Sequence, residues 1–391
     1  MKTQTGIYAQ VHKYLRKGSE FVDQRHLKVL SWMVTALLGS QSLNQNEWEA
    51  YVESRAQQAQ SYQRRWSRFL SNRRVEVEKL YVPLVLGAIE GWKVERLYMA
   101  LDTTMLWNKY CLVYLSVVCA GRAIPLMWMG LEHRSASVAF EKYQPLLERA
   151  QEKLKKFTDV MLLADRGFAN HDVVRWLKQS SWHWCIRLPS DTAIYGVRRR
   201  GFDYKVRELY PPKGEARFYH HVRLWSDAQL ECHLALASVG GIKEQWGIIT
   251  DEPPTLETFW EYGLRFRIEQ LFLDSKSGVF DLEGSRVRDV QCLEHLYLAV
   301  AIAILFATLT GMAVQKAGFR RQVDAHWKRG LSYLKMGLRW LKGSIHKARP
   351  LVRLDSLLYH DPAPCFASAK ARDAFYRQFA FSCVQDFYCS I

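Results

Sequence analysis

Residues 97–104 read Leu-Tyr-Met-Ala-Leu-Asp-Thr-Thr, and residues 160–167 read Val-Met-Leu-Leu-Ala-Asp-Arg-Gly. Each is a short apolar run closed by an aspartate. An unbroken apolar run bounded by turn residues is the pattern of a strand buried on both faces. Between the two lie further runs rich in Val, Leu, Tyr and Cys, Tyr110 to Ala120 and Ala123 to Leu131, joined at Gly121-Arg122. A helical stretch, Val138 to Phe157, comes next. After Asp165 the pattern predicts a helix over His171 to Lys178 and a strand over Trp184 to Leu188. Three strands, helix, strand, helix, strand is the order of a mixed α/β sheet with helices packed on it.

Outward from this centre the texture changes. Residues 1–92 read as helical, with one helix over His26 to Leu38 and a second from near Asn46 to Phe69. They hold 13 Lys/Arg against 8 Asp/Glu, and Arg64, Arg65, Arg68, Arg73 and Arg74 cluster around Trp66 and Phe69. Such a face either meets phosphates or is simply solvated. After the central segment 93–188, residues 189–245 carry short β-like runs (Arg217 to Trp225, Leu230 to Val239) between turns at Pro211-Pro212 and Gly240-Gly241. This is a small β-rich insertion. Segment 246–313 resumes with a core strand over Trp246 to Thr250, then a long helix from about Thr255 to Lys276. Residues 314–391 form a basic helical tail. From Val314 to Arg353 it holds 11 Lys/Arg and a single acid, Asp324, with Leu331, Leu334, Leu338 and Leu341 at helical spacing.

Composition narrows the function. The net charge is +16, which favours a polyanionic partner, nucleic acid first. The eight cysteines form no C-x-x-C pair and no zinc spacing, as in a protein with reduced thiols in the cytoplasm. The first 18 residues lack the apolar run of a secretory signal. The most apolar stretch, Leu296 to Met312, falls short of the roughly 20 residues of a membrane span and contains Thr308 and Thr310. It reads as a buried helix, so no membrane partner is expected.

Asp102 and Asp165 each close a strand, where α/β sheets build their sites. On the helix after Thr255, Tyr262, Arg265, Glu269 and Lys276 fall within roughly 60° of one another at about 100° per residue. Leu264, Ile268 and Leu271 lie on a nearly opposite stripe. An ordinary amphipathic helix explains an Arg265–Glu269 pair, but not Tyr262 and Lys276 on the same line. A carboxylate flanked by cations suits a metal ligand beside a phosphate track. Three carboxylates from two strand ends and a helix suit two hard cations such as Mg²⁺ or Mn²⁺.

At these residues the chain resembles the DDE transposases of bacterial insertion sequences that carry the Y-R-E-K signature, the insertion-sequence-four family. The spacing Y-x(2)-R-x(3)-E-x(6)-K is met by Tyr262, Arg265, Glu269 and Lys276. The aspartate blocks are Leu101-Asp102-Thr103-Thr104 and Leu163-Ala164-Asp165-Arg166-Gly167-Phe168. The resemblance covers about 96–276. It implies an α/β fold with an RNase H-like catalytic core in two parts, 93–188 and 246–313, interrupted by the β-rich insertion 189–245. A helical DNA-binding domain (1–92) and a basic C-terminal region (314–391) for assembly and DNA contact flank it. It implies two Mg²⁺ or Mn²⁺ ions on Asp102, Asp165 and Glu269, and DNA-backbone contacts from Tyr262, Arg265 and Lys276. Arg187, ending the strand after the second aspartate, is a further candidate contact. Trp225 is a candidate for stacking a flipped base, although an insertion this short speaks against a hairpin route. The expected partners are double-stranded transposon ends and target DNA, met by a homodimer in a synaptic complex, in the bacterial cytoplasm at the nucleoid. The alternatives are a catalytically inactive or domesticated DNA-binding protein, or an RNase H-like nuclease that never joins strands.

Overall fold

The computed structural model describes the chain apart from residues 1, 22, 55, 57, 198–203, 227–228, 240–244, 326–329, 362–367, 378–379 and 390–391. The expected Gly240-Gly241 turn lies outside the described residues. The N-terminal region holds α1 (Lys2–Gly18), α2 (Gln24–Ser40), α3 (Ala59–Leu70) and α4 (Val77–Ile89). The single helix expected over 46–69 is not formed. Two short 3₁₀ turns, Gln45–Glu47 and Glu49–Tyr51, precede α3. The cause is Trp48, which is fully buried edge-on to Trp66 at 5.6 Å and donates its indole N–H to Ser42 O at 2.7 Å. Burying that ring folds the chain back before α3 can start.

The central strands follow: β1 (Leu97–Leu106), β2 (Tyr110–Cys119) and β3 (Arg122–Glu132), then α5 (Phe140–Lys153), β4 (Val160–Ala164), α6 (His171–Gln179) and β5 (His183–Arg187). The insertion contributes β6 (Ala193–Tyr195), β7 (Tyr204–Lys205), α7 (Val206–Leu209), β8 (Glu215–Leu224) and β9 (Leu230–Ser238). β10 (Gln245–Thr250), α8 (Leu256–Gly263), α9 (Arg267–Leu273) and α10 (Val290–Lys316) come next, and α11 (Tyr333–Lys347), α12 (Ala369–Arg377) and β11 (Cys383–Tyr388) complete the elements.

All the strands form one sheet of order β3-β2-β1-β4-β5-β10-β9-β8-β6-β7, with β11 parallel on β8. The fold is thus mixed α/β with one large sheet and many helices. β1, β2 and β3 are antiparallel, and β4 and β5 run parallel to β1. β10 is antiparallel to both β5 and β9, so the strands of the insertion continue the same sheet through it. The C-terminal strand β11 was not read from the sequence.

Arg96, just before β1, fixes the outside of this framework. It reaches Asp159 at 3.0 Å, Glu252 at 2.7 Å and Glu261 at 3.2 Å, and Tyr98 also donates to Glu261 at 2.7 Å. Asp159 precedes β4, Glu252 follows β10, and Glu261 lies on α8. One guanidinium therefore ties α8 to the sheet, and the residues after α8 inherit that placement.

On the β3 side, α2, α3, α4 and α11 pack around α10. The helix α10 is long and apolar enough to cross a membrane, yet its most apolar window is buried entirely inside the protein. Its crossing with α11 is a backbone contact. A Cβ at Gly311 would stand 1.9 Å from Tyr333 O, and one at Gly337 would stand 1.8 Å from Ala307 O. Leu334, Leu338 and Leu341 of α11 are buried, while Lys335, Arg339 and Lys342 are exposed. This is the two-faced helix expected of the tail, although Leu331 precedes it.

Candidate active site

β1 does not stop at Asp102, as the sequence suggested, but runs on to Leu106. It can do so because β2 pairs with it along that whole length, from Met99↔Val117 to Leu106↔Tyr110. On its other side β4 ends earlier. The last parallel pair is Leu101↔Ala164, so the next residue of each strand is an aspartate, Asp102 beside Asp165. The crevice beyond the carboxyl end of a parallel pair is where α/β sheets place ligands.

Each aspartate accepts a hydrogen bond from the backbone that follows it. Asp102 Oδ1 accepts the Thr103 N–H at 2.8 Å, and Asp165 Oδ1 accepts the Gly167 N–H at 2.8 Å. A Cβ at Gly167 would stand 3.0 Å from that carboxylate oxygen, which is why glycine follows Asp-Arg here. The backbone bonds leave the Oδ2 atom of each aspartate facing other partners.

The helix expected over 255–276 is not continuous. α8 ends at Gly263, a 3₁₀ turn spans Leu264–Phe266, α9 covers Arg267–Leu273, and a π turn spans Asp274–Gly278. A constant 100° per residue therefore fails, and Tyr262, Arg265, Glu269 and Lys276 do not form one polar line. Tyr262 is fully buried, edge-on to Trp246 at 5.4 Å and to Phe266 at 6.0 Å. Arg265 is 6% exposed, with its guanidinium 4.5 Å from the Phe266 ring. Glu269 is exposed. Lys276 turns away to pair with Glu283 at 3.1 Å.

Arg265 joins the candidate carboxylates. Nη1 meets Asp102 Oδ2 at 2.9 Å, and Nη2 meets Glu269 Oε1 at 2.8 Å. Its Nε and the Tyr262 hydroxyl are buried without a hydrogen-bond partner. Arg187, at the end of β5, donates to Gln245 O at 3.2 Å. Burial pushes the Tyr262 hydroxyl up to about 12, against the opposing charges of Arg265 and Arg187 and together with Asp165. Tyr262, Arg265, Arg187 and Asp165 thus lie within electrostatic reach of one another. Trp225 follows β8 with left-handed backbone (φ 60°) and lies edge-on to His171 at 6.4 Å.

Burial raises Asp102 from the ordinary 3.8 to about 6. Arg265 opposes the shift, and the carboxylates of Asp165 and Glu269 add to it. A carboxyl whose pKa is raised by folding favours the fold when protonated. That contribution is present in full below pH 3.8 and is lost as pH rises through about 6. In EDTA, Asp102→Asn, which cannot ionise, should therefore gain on the wild type as pH rises from 4 to 7, by a few degrees of melting temperature. A difference, variant minus wild type, that stays constant or falls over that range, read by calorimetry, would contradict the assignment.

Among the described residues, no three His, Cys, Asp or Glu side chains stand close enough to hold a metal ion as they are. The donor set nevertheless fits a hard divalent cation, being all carboxylate oxygen. Asp102 and Asp165 are adjacent in register, and their mutual repulsion is one a cation relieves. Glu269 is kept apart by the intervening guanidinium.

These features define a mixed α/β protein with two aspartates side by side after the last pair of its central parallel strands. The chain belongs to the transposase DDE domain family, whose model matches residues 110–306. The match begins just past Asp102 and includes Asp165 and Glu269. Proteins of this family act on nucleic acid as nucleases and strand transferases and generally use divalent metal ions. Comparison with curated protein sequences finds no match. Among solved structures, a piggyBac transposase synaptic complex with hairpin DNA is similar at 9% identity and TM-score 0.40, over 89% of this chain and 79% of that one. Marinitoga piezophila Argonaute with guide RNA and target DNA is similar at 12% identity and TM-score 0.20, over 46% and 26%.

Proposed function

We propose that this transposase cuts and joins DNA by the cut-and-paste route of the insertion-sequence-four type, with Asp102, Asp165 and Glu269 as its acidic triad. The observation that carries the reading is the register of β1 on β4, with Asp102 and Asp165 emerging side by side and Arg265 tying Glu269 to the first of them. The order β3-β2-β1-β4-β5, with the first three strands antiparallel, supports an RNase H-like core over 93–188 and 246–313. The insertion 189–245 adds strands to the far side of the same sheet. Residues 1–92 and 314–391 form the helical DNA-binding and assembly regions.

Asp102, Asp165 and Glu269 would hold two Mg²⁺ or Mn²⁺ ions. Such ions, when bound, ease deprotonation of the attacking oxygen and stabilise charge on the leaving one. The protein's own groups orient the DNA. Arg265 offers a planar fork that matches phosphate geometry, and Tyr262 has a hydroxyl with no other partner to satisfy. Arg187 extends the basic track along the backbone, and Lys276 joins it by giving up its pair with Glu283. A homodimer pairs the two transposon ends before target capture, on DNA in the bacterial cytoplasm.

The direct test is cleavage of a labelled duplex carrying the element's own end, in Mg²⁺ and in EDTA. Mg²⁺-dependent nicking at the end should be lost in Glu269→Ala. Glu269 is exposed but pairs with the buried Arg265, so the melting temperature of the variant is measured beside its cleavage. Binding without cleavage in the wild type would make the chain a non-catalytic DNA-binding protein. Nicking with no joined product would make it a nuclease.

A further inference from the structure

Arg265 is a nine-tenths buried cation with no counterpart among ordinary ion pairs of the surface. It lies between two carboxylates that come from different elements, 2.9 Å from Asp102 and 2.8 Å from Glu269. Asp102 Oδ2 is the oxygen that its backbone bond leaves available. The guanidinium thus takes a carboxylate oxygen that a metal ion would need, and it holds Glu269 on the far side of itself. The arrangement is also unfinished. Arg265 Nε and the Tyr262 hydroxyl beside it are buried donors without acceptors, and a buried donor left unsatisfied costs about 1–3 kcal/mol. An anionic oxygen reaching the two would satisfy both.

We infer that Arg265 is a resting counter-ion, occupying the place of the divalent cation in the free chain and giving it up when DNA phosphate draws the guanidinium away. The idea rests on the triad reading above and adds an order to it. With no DNA bound, the carboxylates are neutralised from within, and cation affinity is low. With phosphate bound, Arg265 turns to the new anion, Asp102 and Glu269 are released together, and the site takes up metal where substrate is already in place. Cation and DNA then strengthen each other's binding, because each stabilises the same arrangement of Arg265. A preference for phosphate over carboxylate is within reach of arginine, whose fork pairs with either in the same bidentate way.

The test is Mn²⁺ binding to the full chain, read by electron paramagnetic resonance of the free ion and by the shift in melting temperature, without any measure of cleavage. Wild type, Arg265→Lys, Arg265→Gln and Asp102→Asn are compared. Arg265→Lys keeps the charge but lacks the longer planar fork whose two nitrogens each hold one carboxylate, and its melting temperature in EDTA reports whether the fold is kept. Arg265→Gln is the second variant in case lysine distorts the pocket. We expect both arginine variants to bind Mn²⁺ at least about fivefold more tightly than the wild type, within the 5–150-fold range of site coupling. Saturating mixed-sequence duplex should raise the affinity of the wild type and leave that of Arg265→Lys nearly unchanged. Equal or weaker binding by both arginine variants, or an equal rise with duplex in wild type and Arg265→Lys, overturns the inference alone. Mn²⁺ binding that survives Asp102→Asn, or none in any variant, overturns the triad reading itself.

Discussion

Asp165→Asn should reduce Mg²⁺-dependent cleavage by at least about a thousandfold, because the several kcal/mol of charge stabilisation that a bound ion supplies depend on its anionic ligands. The substitution is unusually clean. Asn keeps an acceptor for the Gly167 N–H, the 2.8 Å bond that shapes the turn after β4, and Asp165 is only partly buried. The variant should therefore fold and bind transposon-end DNA as the wild type does. A gel-shift assay run beside the cleavage assay separates the two properties. Cleavage within about tenfold of the wild type would remove Asp165 from the triad, and loss of both binding and cleavage would point to a damaged fold.

The second large effect concerns the core. Gly337→Val should cost about 3 kcal/mol or more, at the upper end for overpacking, and lower the melting temperature of a chain this long by roughly 4 °C or more. At the crossing of α10 and α11 a Cβ would meet carbonyl oxygen and backbone nitrogen, which cannot swing aside as a side chain can. The reciprocal position, Gly311, behaves the same way, so Gly311→Val should cost a similar amount. Gly87→Ala supplies the contrast. It lies on α4 with nothing within 4 Å of its would-be Cβ. There the gain in helix propensity should stabilise by up to about 1 kcal/mol. Calorimetry on the three variants checks both signs. A Gly337→Val protein that melts with the wild type would mean that the two helices do not touch as described.

The sequence made the two aspartate strands legible because an apolar run ending in Asp is a local pattern, and pairing only had to bring them together. That Asp102 lies in mid-strand was not legible, since it depends on β4 being shorter than β2 on the other side of β1. The spacing of Tyr262, Arg265, Glu269 and Lys276 was plain, but its geometry was not. A helical wheel assumes one uniform helix, and the 3₁₀ and π turns around α9 change the phase at both ends. Burial of Tyr262 and Arg265 came from Trp246 and Phe266, which no periodicity couples to them. The glycine contact was hidden for the same reason, because it needs two helices that meet only in the folded chain. Trp48 undid the expected helix over 46–69 through a single buried ring.

The burial of α10 also bears on how the chain is made. Its cover comes from α2, α3, α4 and β3, which are synthesised before it, and from α11, which is synthesised after it. As residue 316 leaves the ribosome, the most membrane-like segment of the protein is outside while one of its walls, α11, has yet to emerge. During that interval the nascent chain offers the targeting and quality-control machinery a span of greasy helix. Arrival of α11, with Gly337 drawn against the backbone of α10 opposite Gly311, ends that exposure. Biogenesis of this sheet protein is thus timed by α11.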